Sequence, residues 1–234
     1  MEEDKNAFMK KLISLFLFFA FVTIFSQEYH FDYYINYKNE IRRDNIPELH
    51  FSNEIINSND HSYAIRFTNG QDKGFVAKIH DFTSNVEHHF ILKNIKFPLK
   101  SEDFIYQYSV KFPDVKNQFE EEIKRRTFNF QFIKNENDSD YYKIKEFKNN
   151  KLKKTRKEAN VELQKFENDL SYIALRALFD AHEIDKQIKF EENYIVKSAS
   201  NKFENYEIKL ELIAVEPQDF EIKVSKNQLK FKNQ

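Results

Sequence analysis

A side-chain alternation with a period of two residues runs through most of the chain after residue 27. In FDYYINY, the residues Phe31, Tyr33, Ile35 and Tyr37 share one face. Because successive side chains of a strand point to opposite faces, each such segment predicts a half-buried antiparallel strand. The same spacing recurs in SYAIRF (Tyr63, Ile65, Phe67), FIYQYSVKF (Phe104, Tyr106, Tyr108, Val110, Phe112), TFNFQF (Phe128, Phe130, Phe132) and, near the end, in Tyr206, Ile208, Leu210, Leu212 and in Phe220, Ile222, Val224.

One window has a helical period instead. Apolar residues recur at spacings of three and four in NDLSYIALRALFDAH, and Asn168 or Asp169 can cap its start. This predicts a helix near 169–182. A second candidate helix covers 114–124. The stretch from Lys151 to Gln164 fits a strand or a helical extension, and Val161 and Leu163 favour the strand.

These patterns predict a mainly β fold with one helix (α+β). We expect a curled antiparallel sheet, or a partly closed barrel, of about ten strands packed on a single helix near 169–182. No linker divides the chain, so residues 27–234 are predicted to form a single β-rich domain. The chain has no cysteine, so this domain has to be held together by its core.

The N-terminal segment has the layout of a secretory signal peptide. Residues 12–25 are fourteen residues without a charge, and they follow Lys10 and Lys11 and precede Ser26. A membrane anchor is the alternative, but a span needs about 18 to 20 apolar residues. We therefore predict that residues 1–26 are a signal peptide, and that the protein is not an integral membrane protein after cleavage.

The acidic residues Glu2, Glu3 and Asp4 oppose the positive charge that export machinery reads, so Met9 is the expected true start. The predicted location is therefore an exported one: periplasm, cell surface or medium.

Composition limits the partners. Lys and Arg total 37 against 38 Asp and Glu, so no net charge draws the chain to nucleic acid. The chain also has 26 Phe and 12 Tyr. A curled sheet lined by these rings either encloses an apolar ligand or forms an ordinary core, and the sequence leaves both open.

Three histidines flank one predicted turn. Pairing Ala77 with Phe90 and Ile79 with His88 places His88 at the core edge. The same register puts His80 beside Glu87 on the other face, with His89 diagonal to it. Two His and one Glu could hold a zinc-like ion, but no fourth ligand has a diagnostic spacing, so we assign no metal site. His182 is expected at a helix C-terminus, where the dipole favours a cation.

A basic run extends from Lys143 to Lys157, with eight cations against one acid, Glu146. It could bind lipid headgroups or polyanionic glycans by charge, or it could be a solvated hairpin that guards an edge strand. The segment EEEIKRR at 120–126 balances its own charge and is predicted to be surface.

Motifs of known chemistry are absent from the sequence. There is no G-x-S-x-G, no H-E-x-x-H and no phosphate-binding glycine loop, since the chain has only two glycines. Carboxylate pairs such as Asp180 and Glu183 exist, but nothing distinguishes them. We therefore assign no catalytic and no cofactor-binding residue, and expect no cofactor.

Several segments together resemble secreted β-rich proteins of Bacteroidota-type bacteria: a signal ending FSQ, the strand-turn-strand INSNDHSYAIRF, the hairpin EFKNNKLKK, and ENYIVKSAS followed by YEIKLELIAVE. The resemblance implies export and a β-rich fold, and brings no established activity to carry over. At the level of fold alone, a curled sheet with a helix is similar to periplasmic lipoprotein carriers.

The leading hypothesis is a non-enzymatic exported binding protein, with an apolar small molecule, an envelope lipid or another cell-envelope component as its partner. The alternatives are a structural or adhesive surface component that uses the basic run, and an enzyme with an unrecognised site.

Overall fold

The computed structural model describes residues 26–44, 46–70, 74–93, 96–113, 115–147, 154–203 and 206–231. The predicted signal peptide, apart from Ser26, lies outside the described residues. The strands are β1 (Gln27–Arg43), β2 (Ile46–Ile56), β3 (Tyr63–Gly70), β4 (Gly74–Asp81), β5 (Val86–Leu92), β6 (Phe104–Lys111), β7 (Thr127–Glu136), β8 (Ser139–Phe147), β9 (Thr155–Lys165), β10 (Tyr194–Phe203) and β11 (Tyr206–Val224). The helices are α1 (Lys116–Lys124) and α2 (Ser171–Phe179).

All the strands belong to one antiparallel sheet in the order β6-β5-β4-β3-β2-β1-β11-β10-β9-β8-β7. The chain starts at the centre, runs outward to the edge strand β6, crosses through α1 to the other edge strand β7, and returns to pair β11 with β1. The predicted curled antiparallel sheet is confirmed, with eleven described strands instead of about ten, and the sheet is open.

The single-helix prediction is wrong. Helix α2 lies within the predicted 169–182 window, but α1 is a second helix at the site of the weaker candidate. Among the side chains of α1 that the structure describes, only that of Ile123 is fully buried, which explains why the apolar pattern is weak. The ambiguous stretch from Lys151 to Gln164 contains β9, so the strand alternative is confirmed for its described part.

The four apolar side chains of β1 that were predicted to share one face do not all share it. The pairing with β11 is irregular between Phe31 and Tyr33, so the side chains upstream and downstream of this point face opposite sides. Phe31 lies in one core, whereas Tyr33, Ile35 and Tyr37 lie in another on the reverse side of the sheet. The centre of the sheet is therefore buried on both faces.

The first of these cores, the aromatic core, forms where β3 to β6 curl back over one end of β1 and β11. The ring of Phe104 on edge strand β6 stacks on Phe220 of β11 at 5.4 Å, and Phe220 stacks on Phe31 at 5.3 Å. The segment after β11 continues this closure, because the N–H of Ser109 on β6 donates to the carbonyl of Lys230 at 2.8 Å. Fully burying each phenylalanine contributes about 1.5–3 kcal/mol.

The second core, the helix core, lies on the other face between β8, β9, β10 and helix α2. Leu175, Leu178 and Phe179 of α2 are buried against Leu163 of β9 and Val196 of β10. The prediction that the apolar lining lies between sheet and helix therefore holds for this half of the sheet only. In the described part of the chain, no helix is long and apolar enough to cross a bilayer.

Strand β6 also departs from strict alternation. His89 pairs with Tyr108 and Phe90 pairs with Tyr106, so Gln107 is an extra residue in β6. Phe104 and Tyr106 face the aromatic core as predicted, but after the bulge Ser109 turns inward and is fully buried. Tyr108 is on the opposite face, where its ring stacks on His89 at 4.3 Å.

Candidate functional site

A cleft of about 220 Å³ lies between helix α2 and the outer face of β2, β3 and β4, the face opposite the aromatic core. We call it the helix cleft. Its walls include ionisable side chains of both signs and several aromatic rings. The lining includes Glu54, His61, Arg66, His80, Phe82, Tyr172, Arg176, Asp180 and His182.

The loop between β2 and β3 positions one wall of the cleft. The side-chain oxygen of Asn57 accepts hydrogen bonds from the N–H groups of Asn59 (2.8 Å) and Asp60 (3.1 Å), which fixes a tight turn. Asp32 of β1 accepts a further bond from the N–H of Ser58 at 2.9 Å. These contacts place His61 at the mouth of the cleft.

His61 joins this loop to helix α2. Its ring stacks on Tyr172 with centroids 3.8 Å apart, and its Nδ1 lies 3.4 Å from Oδ2 of Asp185. Arg176 also binds Asp185, at 3.2 Å through Nη2, and its guanidinium lies 4.6 Å from the centre of the Tyr172 ring. The result is a linked cluster of an imidazole, a phenol, a guanidinium and a carboxylate on one wall.

His182 forms the opposite end of the cleft, at the point where helix α1 approaches. Its ring stacks on Phe119 of α1 at 4.3 Å and lies 5.2 Å from Phe82 of the β4–β5 turn. The predicted role as a cation at a helix terminus is not supported, because burial lowers the pKa of His182. The last carbonyls of α2 are instead bound by other groups: Arg126 and Lys157 at Phe179, and Asn201 at Leu178.

The electrostatics of the cleft favour neutral imidazoles. Burial lowers the pKa of His80, as it does that of His182, so both rings are neutral at pH 7. Burial alone would raise the pKa of Asp185, but the hydrogen bond with His61 and the charge of Arg176 lower it to about 2. The permanent positive charges of the cleft are therefore the guanidinium groups of Arg66 and Arg176.

The predicted register of the histidine turn is confirmed. Ala77 pairs with Phe90, Ile79 with His88, and His80 with Glu87. Oε2 of Glu87 lies 3.0 Å from Nε2 of His80, and Oε1 lies 2.5 Å from Nε2 of His89. Burial would raise the pKa of Glu87, but its contact with His89 and the nearby positive charges lower it to about 2.

These three side chains bind one another, and only His80 reaches the helix cleft. No group of three or more His, Cys, Asp or Glu side chains among the described residues is arranged to hold a metal ion.

His88 is not at the core edge but fully buried, inside the aromatic core. Its Nε2 lies 3.0 Å from the hydroxyl of Tyr29, which donates to Asp81 at 2.9 Å. Its Nδ1 lies 2.6 Å from the hydroxyl of Ser109, which is in turn 2.7 Å from that of Tyr106. The serine–histidine pair is sealed from solvent, so it stabilises the core and is not positioned for nucleophilic catalysis.

The basic run lies on the hairpin of β8 and β9, of which residues 148–153 are outside the described part. Lys143 and Lys145 both pair with Glu158, and Arg156 pairs with the buried Glu146. Lys157 donates to the end of α2, and burial lowers its pKa. In the described portion of the run, much of the charge is therefore engaged within the protein.

The segment EEEIKRR was predicted to be surface, and for Ile123 and Arg126 this is wrong. Arg126 is buried: it donates to the carbonyl of Phe179 at 2.8 Å, binds Glu122, and lies 3.7 Å from Glu146. The sequence gives no sign of this, because the position depends on where α2 ends.

The aromatic side chains of the curled half of the sheet, for which the sequence left a ligand cavity and an ordinary core open, contact one another. Phe31, Ile65, Ile79 and Phe90 are each at most 2% exposed, and their neighbours in the described part of the aromatic core are other side chains. The aromatic core is thus an ordinary packed core. The candidate ligand site is the helix cleft, on the other face of the sheet.

Sequence reasoning identified His80, His182 and Asp180 individually, and the structure brings all three to the cleft. It missed His61, Arg66, Tyr172 and Arg176. The helical period of the α2 window could have given one signal, because Tyr172 and Arg176 are four residues apart and share a face. Nothing in the sequence shows that this face meets β3.

No protein-family model and no curated protein matches the chain. Among solved structures, the chain is similar to a LolA-superfamily protein from Nitrosomonas europaea, with a TM-score of 0.28 and 9% sequence identity. The match covers 79% of this chain and 85% of that chain. A TM-score this low assigns neither a fold family nor a function.

Proposed function

We propose that the protein is a non-enzymatic binding protein, and that the helix cleft takes a small molecule with a planar ring and an anionic group. The observation that carries the proposal is the placement of two guanidinium groups, those of Arg66 and Arg176, among aromatic rings in one concave site. Pockets that combine apolar walls with a few convergent polar groups are typical ligand sites.

The aromatic side chains support the planar part of the ligand. Phe82, Tyr172 and His182 all line the cleft, and each already makes ring contacts with a neighbour. Rings held in place in this way lose little conformational entropy when a ligand binds. A volume of about 220 Å³ suits a molecule of one or two fused rings.

The charges support the anionic part. Arg66 contacts Glu54 through Nε at 2.9 Å, and Arg176 contacts Asp185 through Nη2. A guanidinium has five N–H donors, so each arginine can also donate to a ligand. The neutral rings of His80 and His182 can take up protons when an anion binds beside them, which adds to the attraction.

A binding role is favoured over covalent catalysis by the composition of the cleft. Its described lining contains no serine, threonine, cysteine or lysine, and of its two carboxylates, Glu54 and Asp180, the first is paired with Arg66. The residues present donate and accept hydrogen bonds and stack on rings, which is sufficient for recognition.

Binding of 1-naphthalenesulfonate, measured by isothermal titration calorimetry, tests the proposal. The double variant Arg66→Gln/Arg176→Gln should lose at least tenfold in affinity, because hydrogen bonds to charged groups contribute about 1.5–3 kcal/mol each. Arg42→Gln is the matched control, since Arg42 lies near the end of the central strand β1 beside Glu40 and does not line the cleft. The neutral analogue 1-naphthalenemethanol and the ringless methanesulfonate should both bind more weakly than the complete probe.

The affinity for the sulfonate should also rise as the pH falls from 8 to 6. The sulfonate stays ionised over this range, whereas the anion raises the depressed pKa values of His80 and His182 and so couples binding to proton uptake. Absence of binding at millimolar probe, or binding that the double variant leaves unchanged, contradicts the proposal.

We further infer that the protein acts outside the cytoplasm. The support is the uncharged segment at residues 12–25 after Lys10 and Lys11, together with the absence of cysteine from the sequence. An apolar molecule or envelope lipid stays compatible with this location, provided that it carries the anionic group that the cleft selects.

A further inference from the structure

A second concave surface lies on the other half of the sheet, on the face turned away from helix α2. It is a trough of about 420 Å³ that crosses β1, β11, β10, β9 and β8. Its polar residues Asn160, Glu162, Ser198 and Ser200 alternate along their strands with Val161 and Ala199, which face the helix core. The trough and the helix cleft share no lining residue.

The strand register arranges these residues in two rows that run across the strands. The first row is Phe51, Lys38, Glu211, Ser198, Glu162 and Tyr141, each the direct cross-strand partner of the next. The second row contains Glu40, Lys209, Ser200 and Asn160. From Lys38 to Tyr141 there are four strand spacings of about 4.8 Å, so the floor is roughly 19 Å long.

The charges of the floor are paired with one another. Lys38 lies 3.4 Å from Glu211, and Glu162 accepts bonds from both Lys197 and Ser198 at 2.8 Å. Glu40 pairs with Arg42. The surface thus offers closely spaced donors and acceptors without a strong field of either sign, which suits a neutral ligand better than an anion or a cation.

Aromatic rings stand at both ends of the first row. Phe51 of β2 is 55% exposed and lies beside Lys38 on the same face. At the other end the ring of Tyr141 lines the trough, with the ammonium group of Lys134 4.9 Å from its centre. Phe51 lies just outside the trough lining and Tyr141 is partly exposed, so both offer ring surface beside a polar floor. A ligand with both polar edges and C–H faces can cover such a surface.

We propose that this trough binds a neutral oligosaccharide laid across the strands. Sugar hydroxyls both donate and accept hydrogen bonds, which matches a floor of alternating lysine, carboxylate, hydroxyl and amide groups. The C–H faces of the sugar rings pack on Phe51 and Tyr141 at the two ends. This second site is independent of the helix cleft.

The test is isothermal titration calorimetry with four neutral hexasaccharides: cellohexaose, maltohexaose, hexa-N-acetylchitohexaose and mannohexaose. At least one should bind, and Tyr141→Ala and Phe51→Ala should each weaken that binding at least tenfold, a loss of about 1.4 kcal/mol. Phe132→Ala is the matched control, because Phe132 is 52% exposed and pairs with Tyr142, on the opposite face from Tyr141. This variant should bind like the unmodified protein.

The double variant Arg66→Gln/Arg176→Gln changes only the helix cleft, so it should bind the hexasaccharide normally. The cleft proposal and the trough proposal can therefore fail independently of each other. The proposal is overturned if none of the four hexasaccharides binds at millimolar concentration, or if Phe132→Ala weakens binding as much as Tyr141→Ala. Binding of acidic hexagalacturonate in preference to all four neutral chains also overturns it.

Discussion

His88 illustrates how a single polar residue can be held inside an aromatic core. Tyr29 donates its proton to Asp81, so the hydroxyl oxygen of Tyr29 accepts the N–H of His88 at Nε2. Nδ1 of the ring is then free to accept from Ser109. A neutral imidazole satisfies both contacts, and burial lowers the pKa of His88 from 6.5 to about 4.

This arrangement predicts acid sensitivity. A histidine whose pKa is lower in the folded state stabilises the fold fully above its unfolded pKa, and this contribution is lost as the pH falls from 6.5 towards 4. The loss amounts to about 3 kcal/mol, because each pKa unit is worth about 1.4 kcal/mol. Urea unfolding at a series of pH values measures it.

The variant His88→Gln should lower the free energy of unfolding at pH 7 by about 1–3 kcal/mol, since it disturbs buried hydrogen bonds. It should also flatten the pH dependence between 6.5 and 4, whereas His50→Gln, at an exposed position, should change neither quantity. An unchanged pH dependence in His88→Gln would show that another group is responsible for the acid sensitivity.

At the scale of the element, β-bulges decide which side chains meet. Asn36 pairs with Ala214 and Tyr37 pairs with Leu212, so Ile213 is an extra residue in β11. Downstream of it, Phe220 and Ile222 face the aromatic core, and upstream of it Leu210 faces the helix core. β11 has a second irregularity, because Pro217 pairs with Tyr33 and Phe220 pairs with Phe31, so two residues of β11 oppose Asp32. These two irregularities accompany the change by which one strand serves two cores on opposite faces.

Deletion of Ile213 should consequently be severe. Removing the bulge would shift one half of β11 by one residue and turn its buried side chains to the wrong face, at a cost above about 4 kcal/mol. Ile213→Ser should cost less than about 1 kcal/mol, because the side chain is 50% exposed. Thermal unfolding followed by circular dichroism distinguishes the two, and equal stability of the two variants would contradict the role of the bulge.

The positions of the bulges could not be predicted from the sequence. Alternation located the segments that form β1, β3, β6 and β11, because burial on one face leaves a period of two in the sequence. It placed Phe31 with Tyr33, and Tyr106 with Tyr108, on shared faces, and the bulges separate both pairs. An extra residue leaves no mark in hydrophobicity, since it depends on the pairing of two distant strands.

The candidate site shows the same limit. His80 and Glu87 could be placed together from the hairpin alone, because their neighbourhood is fixed by a short turn. His61 and Tyr172 are 111 positions apart in the chain, and their stacking depends on how α2 packs over the sheet. Local patterns therefore predicted neighbours within one hairpin and the side chains that share a strand face. They did not predict the cleft, which is formed by segments far apart in the chain.

At the scale of the whole molecule, one sheet carries a core on each face and has two separate concave surfaces. On one half of the sheet, β3 to β6 pack over β1 and β11 and enclose the aromatic core. On the other half, helix α2 packs on the sheet and encloses the helix core. The helix cleft lies opposite the aromatic core, at the margin of the helix core, and the trough lies on the face opposite the helix core.

Export is a prediction for the whole chain. Protein recovered from outside the cytoplasm of the source organism should begin at Gln27, as measured by intact mass spectrometry. A gene that starts at Met9 should give the same product, and one that lacks residues 9–26 should leave the protein in the cytoplasm. Recovery of a chain that retains residues 12–25 would contradict the prediction.

The most direct test of the binding account is to follow the histidine ring signals by NMR during titration with 1-naphthalenesulfonate. Three of these rings, His61, His80 and His182, line the helix cleft, whereas His88 is sealed in the aromatic core and His50 is on exposed β2. The account predicts that the signals of the three cleft histidines shift together while those of His50 and His88 stay in place. Saturable binding that leaves the three cleft signals unmoved would contradict it.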